Sequence, residues 1–119
     1  MSILLLAMLV IAPAPTTQRY AVSGKVFFDD SGSHYVTVYW YEGNKLLGEA
    51  DVHNSGGIYF MDNGQPNGNC KLIAECSWNS ASLGEYGISY EDYVYEEIPG
   101  HGRANVHYHN FNFNFAAYP

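Results

Sequence analysis

Basic residues are scarce in this 119-residue chain: five Lys plus Arg stand against twelve Asp plus Glu, for a formal net charge of −7. So few cations cannot form a basic stripe. That excludes a nucleic-acid role built on phosphate neutralisation and argues against direct electrostatic binding to anionic lipid. Leu-rich helical periodicity is missing after residue 12. No nucleophile elbow, phosphate loop or zincin motif occurs, and the serines are scattered in turns with no His and Asp at a recognisable spacing. Since triads assemble in space, that absence alone does not rule out an active site. Internal repeats are absent, and no linker points to a second domain. The Asn-Gly-rich stretch 62–69 lacks the ligand spacing and terminal Glu of an EF-hand. Cysteine occurs twice, at Cys70 and Cys76.

What the chain has in quantity is aromatic: eleven Tyr, six Phe and two Trp. Aromatic and β-branched residues suit a pleated, half-buried surface. The stretch from His34 to Phe60 shows the pattern best. Val36, Val38 and Trp40 alternate with Thr37, Tyr39 and Tyr41; Gly43-Asn44 breaks the run; Leu46 to Val52 follows; Asn54-Ser55-Gly56-Gly57 breaks it again before Ile58-Tyr59-Phe60. Strand, turn, strand, turn, strand is a β-meander. Val36, Val38 and Trp40 are expected in the core, with Tyr35, Thr37, Tyr39 and Tyr41 outward. Tyrosine offers large contact area at low entropic cost, so Tyr35, Tyr39 and Tyr41 are the candidate binding residues. Ordinary amphipathic tyrosines lying over a sheet would look the same.

Before the meander, Arg19 to Phe28 reads as a strand with Val22, Gly24, Val26 and Phe28 on one face. A mid-strand glycine such as Gly24 marks a bulge or the close approach of another backbone. Asp29-Asp30-Ser31-Gly32-Ser33 is a turn whose paired aspartates suit either calcium or plain solvation. At the amino terminus, Ile3 to Ala12 is an apolar run too short to span a bilayer and of the length of a secretory h-region. Residues 1–18 are therefore expected to be a cleaved signal peptide and 19–119 the mature domain, a secreted, extracellular protein in an oxidising setting. About 100 residues can fold around one core.

Cys70 to Trp78 reads as a strand with Cys70, Leu72, Ala74, Cys76 and Trp78 on one face. Six residues of strand set two Cα atoms roughly 20 Å apart, whereas a disulfide needs about 4.4–6.8 Å. On that reading Cys70 and Cys76 do not bond to each other, leaving buried thiols or an intermolecular bond. A bridge requires Cys70 to fold back with the preceding loop. Asn79 to Gly87 reads as a polar connection and Ile88 to Ile98 as the next strand. Glu85, Glu91, Asp92, Glu96 and Glu97 make this the acidic end, suited to a solvated sheet edge or, less simply, to a divalent cation. Arg103 to Tyr118 reads as a last strand with Ala104, Val106, Tyr108, Asn110, Asn112 and Asn114 outward and His107, His109, Phe111, Phe113 and Phe115 inward. His107 and His109, at i and i+2, are a workable pair of zinc ligands, with a third ligand needed from His34, His53 or an acid. Two histidines beside a phenylalanine row need no metal to explain them.

The order of these features resembles the nematode transthyretin-like family: Val-Ser-Gly-Lys-Val (22–26), Val-Thr-Val-Tyr-Trp-Tyr-Glu (36–42), Leu-Leu-Gly-Glu-Ala-Asp-Val-His-Asn-Ser-Gly-Gly-Ile-Tyr-Phe (46–60), Lys-Leu-Ile-Ala-Glu-Cys (71–76) and Tyr-Glu-Glu-Ile-Pro (95–99). The likeness covers most of residues 20–119. The segment 46–60 also resembles the broader prealbumin-like and carboxypeptidase-regulatory sandwiches. It implies a small secreted domain with a transthyretin-like (prealbumin-like) antiparallel β-sandwich of seven to eight strands. Family members pair a cysteine like Cys76 with one at the start of the next strand, but residues 85–90 hold none, so the family disulfide is lost or rewired. The related hydroxyisourate hydrolases end in Tyr-Arg-Gly-Ser, where this chain ends in Ala-Ala-Tyr-Pro. Fold alone would not establish that activity.

The resulting expectation is a secreted binding module with no catalysis and no cofactor, for an apolar small ligand, a lipid or an extracellular cell-surface partner. It is not expected to be an integral membrane protein. Two alternatives stand beside it. One is a hydrolase of the 5-hydroxyisourate hydrolase type using His107, His109 and Arg103. The other is a structural extracellular protein, a homo-oligomer assembling through its tyrosines or the Asn110–Asn114 edge.

Overall fold

A computed structural model describes residues 19–64, 66, 68–77 and 81–115. The expected leader, residues 1–18, lies outside the described residues, as does Trp78. Among the described residues nine strands follow in order: β1 (Tyr20–Phe28), β2 (Val36–Glu42), β3 (Lys45–Val52), β4 (Gly57–Gly64), β5 (Cys70–Cys76), β6 (Ala81–Ile88), β7 (Val94–Ile98), β8 (Gly102–Tyr108) and β9 (Phe111–Phe113), with one 3-10 turn at Tyr90–Asp92. They form two sheets, one ordered β4-β1-β8-β7 with β9 also on β1, the other β3-β2-β5-β6. Among the described residues no helix is long and apolar enough to cross a membrane.

Alternation explains how the sheets meet. Val22, Val26, Tyr59, Met61, Phe111 and Phe113 from the first sheet share one buried cluster with Val36, Val38, Trp40, Leu72, Ala74 and Cys76 from the second. The chain is thus all-β, with two sheets packed face to face. Trp40 is fully buried; truncating a side chain of that size costs about 3–5 kcal/mol. The β2–β3 hairpin turns on Gly43-Asn44, with Glu42 opposite Lys45. Gly43 has φ +59°, the left-handed conformation a tight two-residue turn demands.

The expectation of a purely antiparallel sandwich is corrected at β1. It pairs antiparallel with β4 but parallel with β8 and β9. The strand count also exceeds seven to eight, because the segment from Ala104 divides. Tyr20–Ser23 pair with Asn105–Tyr108, and Val26–Phe28 pair with Phe111–Phe113. Between them the chain leaves the ladder at His109-Asn110. There the His109 amide donates to the Ser23 carbonyl at 2.9 Å, and the Asn110 side-chain oxygen accepts from the Lys25 amide at 2.8 Å. Tyr59 Oη donates to the His109 carbonyl at 2.5 Å. A Cβ on Gly24 would sit 1.7 Å from that same carbonyl oxygen. The glycine marks a close approach of another backbone, as its mid-strand position suggests.

Three further boundaries differ from the sequence reading. Residues 81–87, read as connection, form β6 together with Ile88, paired along β5 from Cys70↔Ile88 to Cys76↔Ala81. The strand read over Ile88–Ile98 is instead the end of β6, the 3-10 turn and β7. β4 runs on through Asp62 to Gly64, where Arg19 Nε and Asp62 Oδ1 form an ion pair of 2.9 Å. Ala104 and Val106 do face away from the main core, yet they are buried with Ala21 beneath Phe60 and Ile98 in a second small cluster.

Gly24→Ala is expected to destabilise the chain by at least about 3 kcal/mol, since the contact is with backbone that cannot rotate away. A urea-denaturation midpoint unchanged from wild type would contradict this packing.

Candidate functional site

The outer face of the β2 sheet carries the tyrosines. Burying Val36, Val38 and Trp40 forces Thr37, Tyr39 and Tyr41 to the opposite side. Cross-strand register then sets their neighbours. Tyr39 lies opposite Glu49 of β3 and Ile73 of β5; Thr37 lies opposite Asp51 and Glu75; Tyr41 lies opposite Leu46 and Lys71. Beyond Ile73 comes Glu85 of β6. The Tyr39 and Tyr41 rings are half-buried, 6.2 Å apart between centroids and tilted by 31°. Lys71 Nζ stands 5.7 Å from the Tyr41 ring centroid and 3.0 Å from Glu85 Oε1. The centre is aromatic and aliphatic, and carboxylates surround it.

Tyr35 behaves differently from the other two. It precedes β2, its side is 48% exposed, and its ring rests 4.7 Å from that of His53. Its hydroxyl donates to Asp51 Oδ2 at 2.8 Å, while Thr37 Oγ1 donates to Asp51 Oδ1 at 2.9 Å. The bond to Asp51, reinforced by that carboxylate's charge, raises the Tyr35 pKa above its ordinary value. The structure thus joins Tyr39 and Tyr41 as a pair and sets Tyr35 apart at the edge, with Thr37 buried between. Asp51, Ile73 and Glu85 belong to this face. Alternation along β5 turns Ile73 outward and Glu85 stands out as part of the acidic end, but only strand pairing brings them and Asp51 beside the tyrosines.

The other candidates are dispersed. Asp29 Oδ1 accepts from the Phe115 amide at 2.8 Å, and Asp30 accepts from His34 Nε2 at 2.9 Å. The two aspartates of the turn are therefore already used. Asp92 Oδ2 accepts from the Ser89 amide at 2.7 Å, Glu96 accepts from the Tyr108 hydroxyl, and Glu85 is with Lys71, so the acidic end forms no single cluster. His107 and His109 do share the inward face. His107 is buried, and its Nδ1–H donates to the Asp92 carbonyl at 3.3 Å, leaving Nε2 without a partner. His109 stacks on Tyr86 with ring centroids 3.6 Å apart. Among the described residues no third His, Cys, Asp or Glu joins them. Arg103 lies roughly 13 Å along the strand from His107 and packs its guanidinium 4.5 Å from the Tyr95 ring centroid.

Both cysteines are free and buried. Their shared inward face on β5 separates them as an extended strand requires and also hides them from a second chain. Burial pushes the Cys70 thiol up, more than its contacts with Trp40 and Tyr93 lower it.

No protein-family model matches the chain, and no curated protein matches it. Among solved structures it is similar to the dioxygenase domain of a dioxygenase carbohydrate-binding protein fusion from the cellulolytic bacterium Streptomyces sp. SirexAA-E. The identity is 12% and the TM-score 0.47, over 88% of this chain and 85% of that one.

Two expected outcomes follow from the histidines and thiols. Burial, then the charge of His107, holds the His109 pKa below 6.5. The folded chain therefore resists a proton that the unfolded chain accepts. Stability is full above the unfolded value and is lost as pH falls from there through the lower folded value. The drop in Tm between about pH 7.5 and about pH 5 should shrink in His109→Gln; an unchanged drop refutes the assignment. Ellman titration of unreduced protein should find two thiols after denaturation and almost none before it, because both are buried. A titration that finds none in denaturant demands a bridge.

Proposed function

We propose that this chain is a secreted, non-catalytic binding domain of transthyretin-like sandwich type that meets a cell-surface or extracellular protein through the outer face of the β2 sheet. The family part of this reading rests on the order of strand motifs from Val22 to Pro99. The binding part rests on one observation: the adjoining Tyr39 and Tyr41 rings lie beside Ile73 and among Glu49, Asp51, Glu75 and Glu85. Large, stiff aromatic side chains supply contact area with little entropy to lose. A rim of carboxylates supplies selectivity for a cationic partner and speeds its encounter. The complementary surface is therefore an apolar patch bordered by Lys or Arg. Tyr35 contributes its ring while Asp51 retains its hydroxyl.

The test is the double variant Tyr39→Ser/Tyr41→Ser against the wild-type domain, both immobilised and exposed to extracellular-fluid and membrane proteins. A captured partner is then titrated at low and high salt. The expected result is an affinity loss of about tenfold or more, further weakening with salt, and a Tm within a few degrees of wild type. If instead the variant's Tm collapses while binding is spared, these tyrosines serve the fold and the reading fails.

A further inference from the structure

One exposed tyrosine stands apart from the Tyr39/Tyr41 face, at the acidic end of the chain. Among the described residues Tyr35, Tyr90, Tyr95 and Tyr108 are exposed. Three of them have committed hydroxyls: Tyr35 donates to Asp51, Tyr90 to the Pro66 carbonyl and Tyr108 to Glu96. Tyr95 is 54% exposed, and its hydroxyl makes no hydrogen bond among the described residues.

The backbone at Tyr95 is open as well. β7 is the last strand of its sheet and pairs with β8 alone among the described strands. Its free edge offers N–H and C=O groups to an incoming extended segment. The surrounding side chains are mostly of one sign. Glu91, Asp92, Glu96 and Glu97 flank Tyr95 in sequence. Asp92 accepts from the Ser89 amide and Glu96 from Tyr108, while Glu91 and Glu97 are exposed. Arg103, opposite Glu97, sets its guanidinium 4.5 Å from the Tyr95 ring centroid. A free phenol on an open strand edge, flanked by carboxylates, suits an enzyme with a basic cleft. A cleft that holds a polyanionic group donor is basic for that reason alone.

We propose that Tyr95 is a site of tyrosine O-sulfation, with a nucleotide phosphosulfate as co-substrate. The assignment rests on the secreted reading above, because transfer of this group to protein tyrosines belongs to the export route. The Tyr95 oxygen forms a bond to sulfur, and the bond from that sulfur to the donor's phosphate oxygen breaks. The phenol proton passes to a base of the enzyme, the nucleotide bisphosphate leaves, and nothing is oxidised or reduced. A sulfate ester adds a single negative charge among these carboxylates, which the neighbouring Arg103 offsets. A phosphate would add about −1.5 to −2, at a greater cost in like-charge repulsion.

Two measurements test this. In the first, the purified, folded chain is incubated with a tyrosylprotein sulfotransferase and the nucleotide phosphosulfate, and the product is read by intact mass and by fragmentation that preserves the ester. One SO₃ should be gained and should map to Tyr95. Tyr95→Phe should gain none, whereas Tyr108→Phe should gain one like the wild type. Glu96→Gln/Glu97→Gln lies on the edge strand and should keep the wild-type Tm, yet be sulfated about tenfold more slowly, the low end of what charge steering contributes. In the second, the chain is expressed in cells with an export route, and the protein in the medium should carry the same group on Tyr95. No transfer in the first measurement, transfer to another tyrosine, or indifference to Glu96→Gln/Glu97→Gln overturns the assignment. Exported protein with Tyr95 unmodified, or phosphorylated instead, overturns it too. Transfer to Tyr95 in the first measurement with nothing exported in the second upholds recognition of Tyr95 and refutes the secreted reading.

Discussion

The contact between Gly24 and the His109 carbonyl is the constraint on which the first sheet depends. Without a Cβ at residue 24, the carbonyl moves against β1 and takes the Tyr59 hydroxyl. Three strands are tied at that point: β1 through Gly24, β4 through Tyr59, and the β8–β9 segment through His109. The register is the same on either side of it, Ser23 with Tyr108 and Val26 with Phe111. The chain therefore leaves the ladder and returns without slipping. The same register keeps His107, Phe111 and Phe113 all buried, because a one-residue slip would turn every one of them outward.

The core is not wholly apolar. Trp40 Nε1 and Tyr93 Oη are buried without a well-formed hydrogen bond, as is His107 Nε2. The first two sit beside each other and beside the Cys70 thiol, a weak hydrogen-bonding group. Tyr93 also packs edge-on against Tyr20 and His107, with centroids at 5.0 and 5.8 Å. Burial pushes the Tyr93 pKa upward, so its hydroxyl stays protonated and the cluster carries no buried phenolate. Ring packing offsets part of what the unpaired polar atoms cost.

Much of the fold was legible because alternation is a local signal. β1 through β5 each show a two-residue period, and the buried sets Val36/Val38/Trp40 and Cys70/Leu72/Ala74/Cys76 fall where that period places them. β6 was not legible. Ser82, Leu83, Gly84 and Glu85 are all exposed, so an edge strand held mainly by β5 looks like a polar connection. Parallel pairing of β1 with β8 and β9 leaves no local trace either, since it joins distant segments. The outward direction of Tyr39 and Tyr41 followed from their parity. The tether of Tyr35 to Asp51 did not, because it depends on which strand lies alongside. The burial of Ala104 and Val106 on an outward face is likewise a property of their neighbours Phe60 and Ile98, not of their own pattern.

The parallel pairing of β1 has a consequence for the order of assembly. Its partners on that side lie near the other end of the described chain; Lys25 and Asn110 are 85 positions apart. Closing so long a loop is entropically costly and slow, and contacts of this kind form late. On a ribosome, the β2–β3 hairpin and β5 can pair as soon as they emerge. β1, which precedes the other described strands, must wait beside β4 with one side unfilled until Asn105 to Phe113 arrive. The earliest of the described strands is thus among the last to be fully paired. Until then its open edge is the part of the nascent domain most in need of protection.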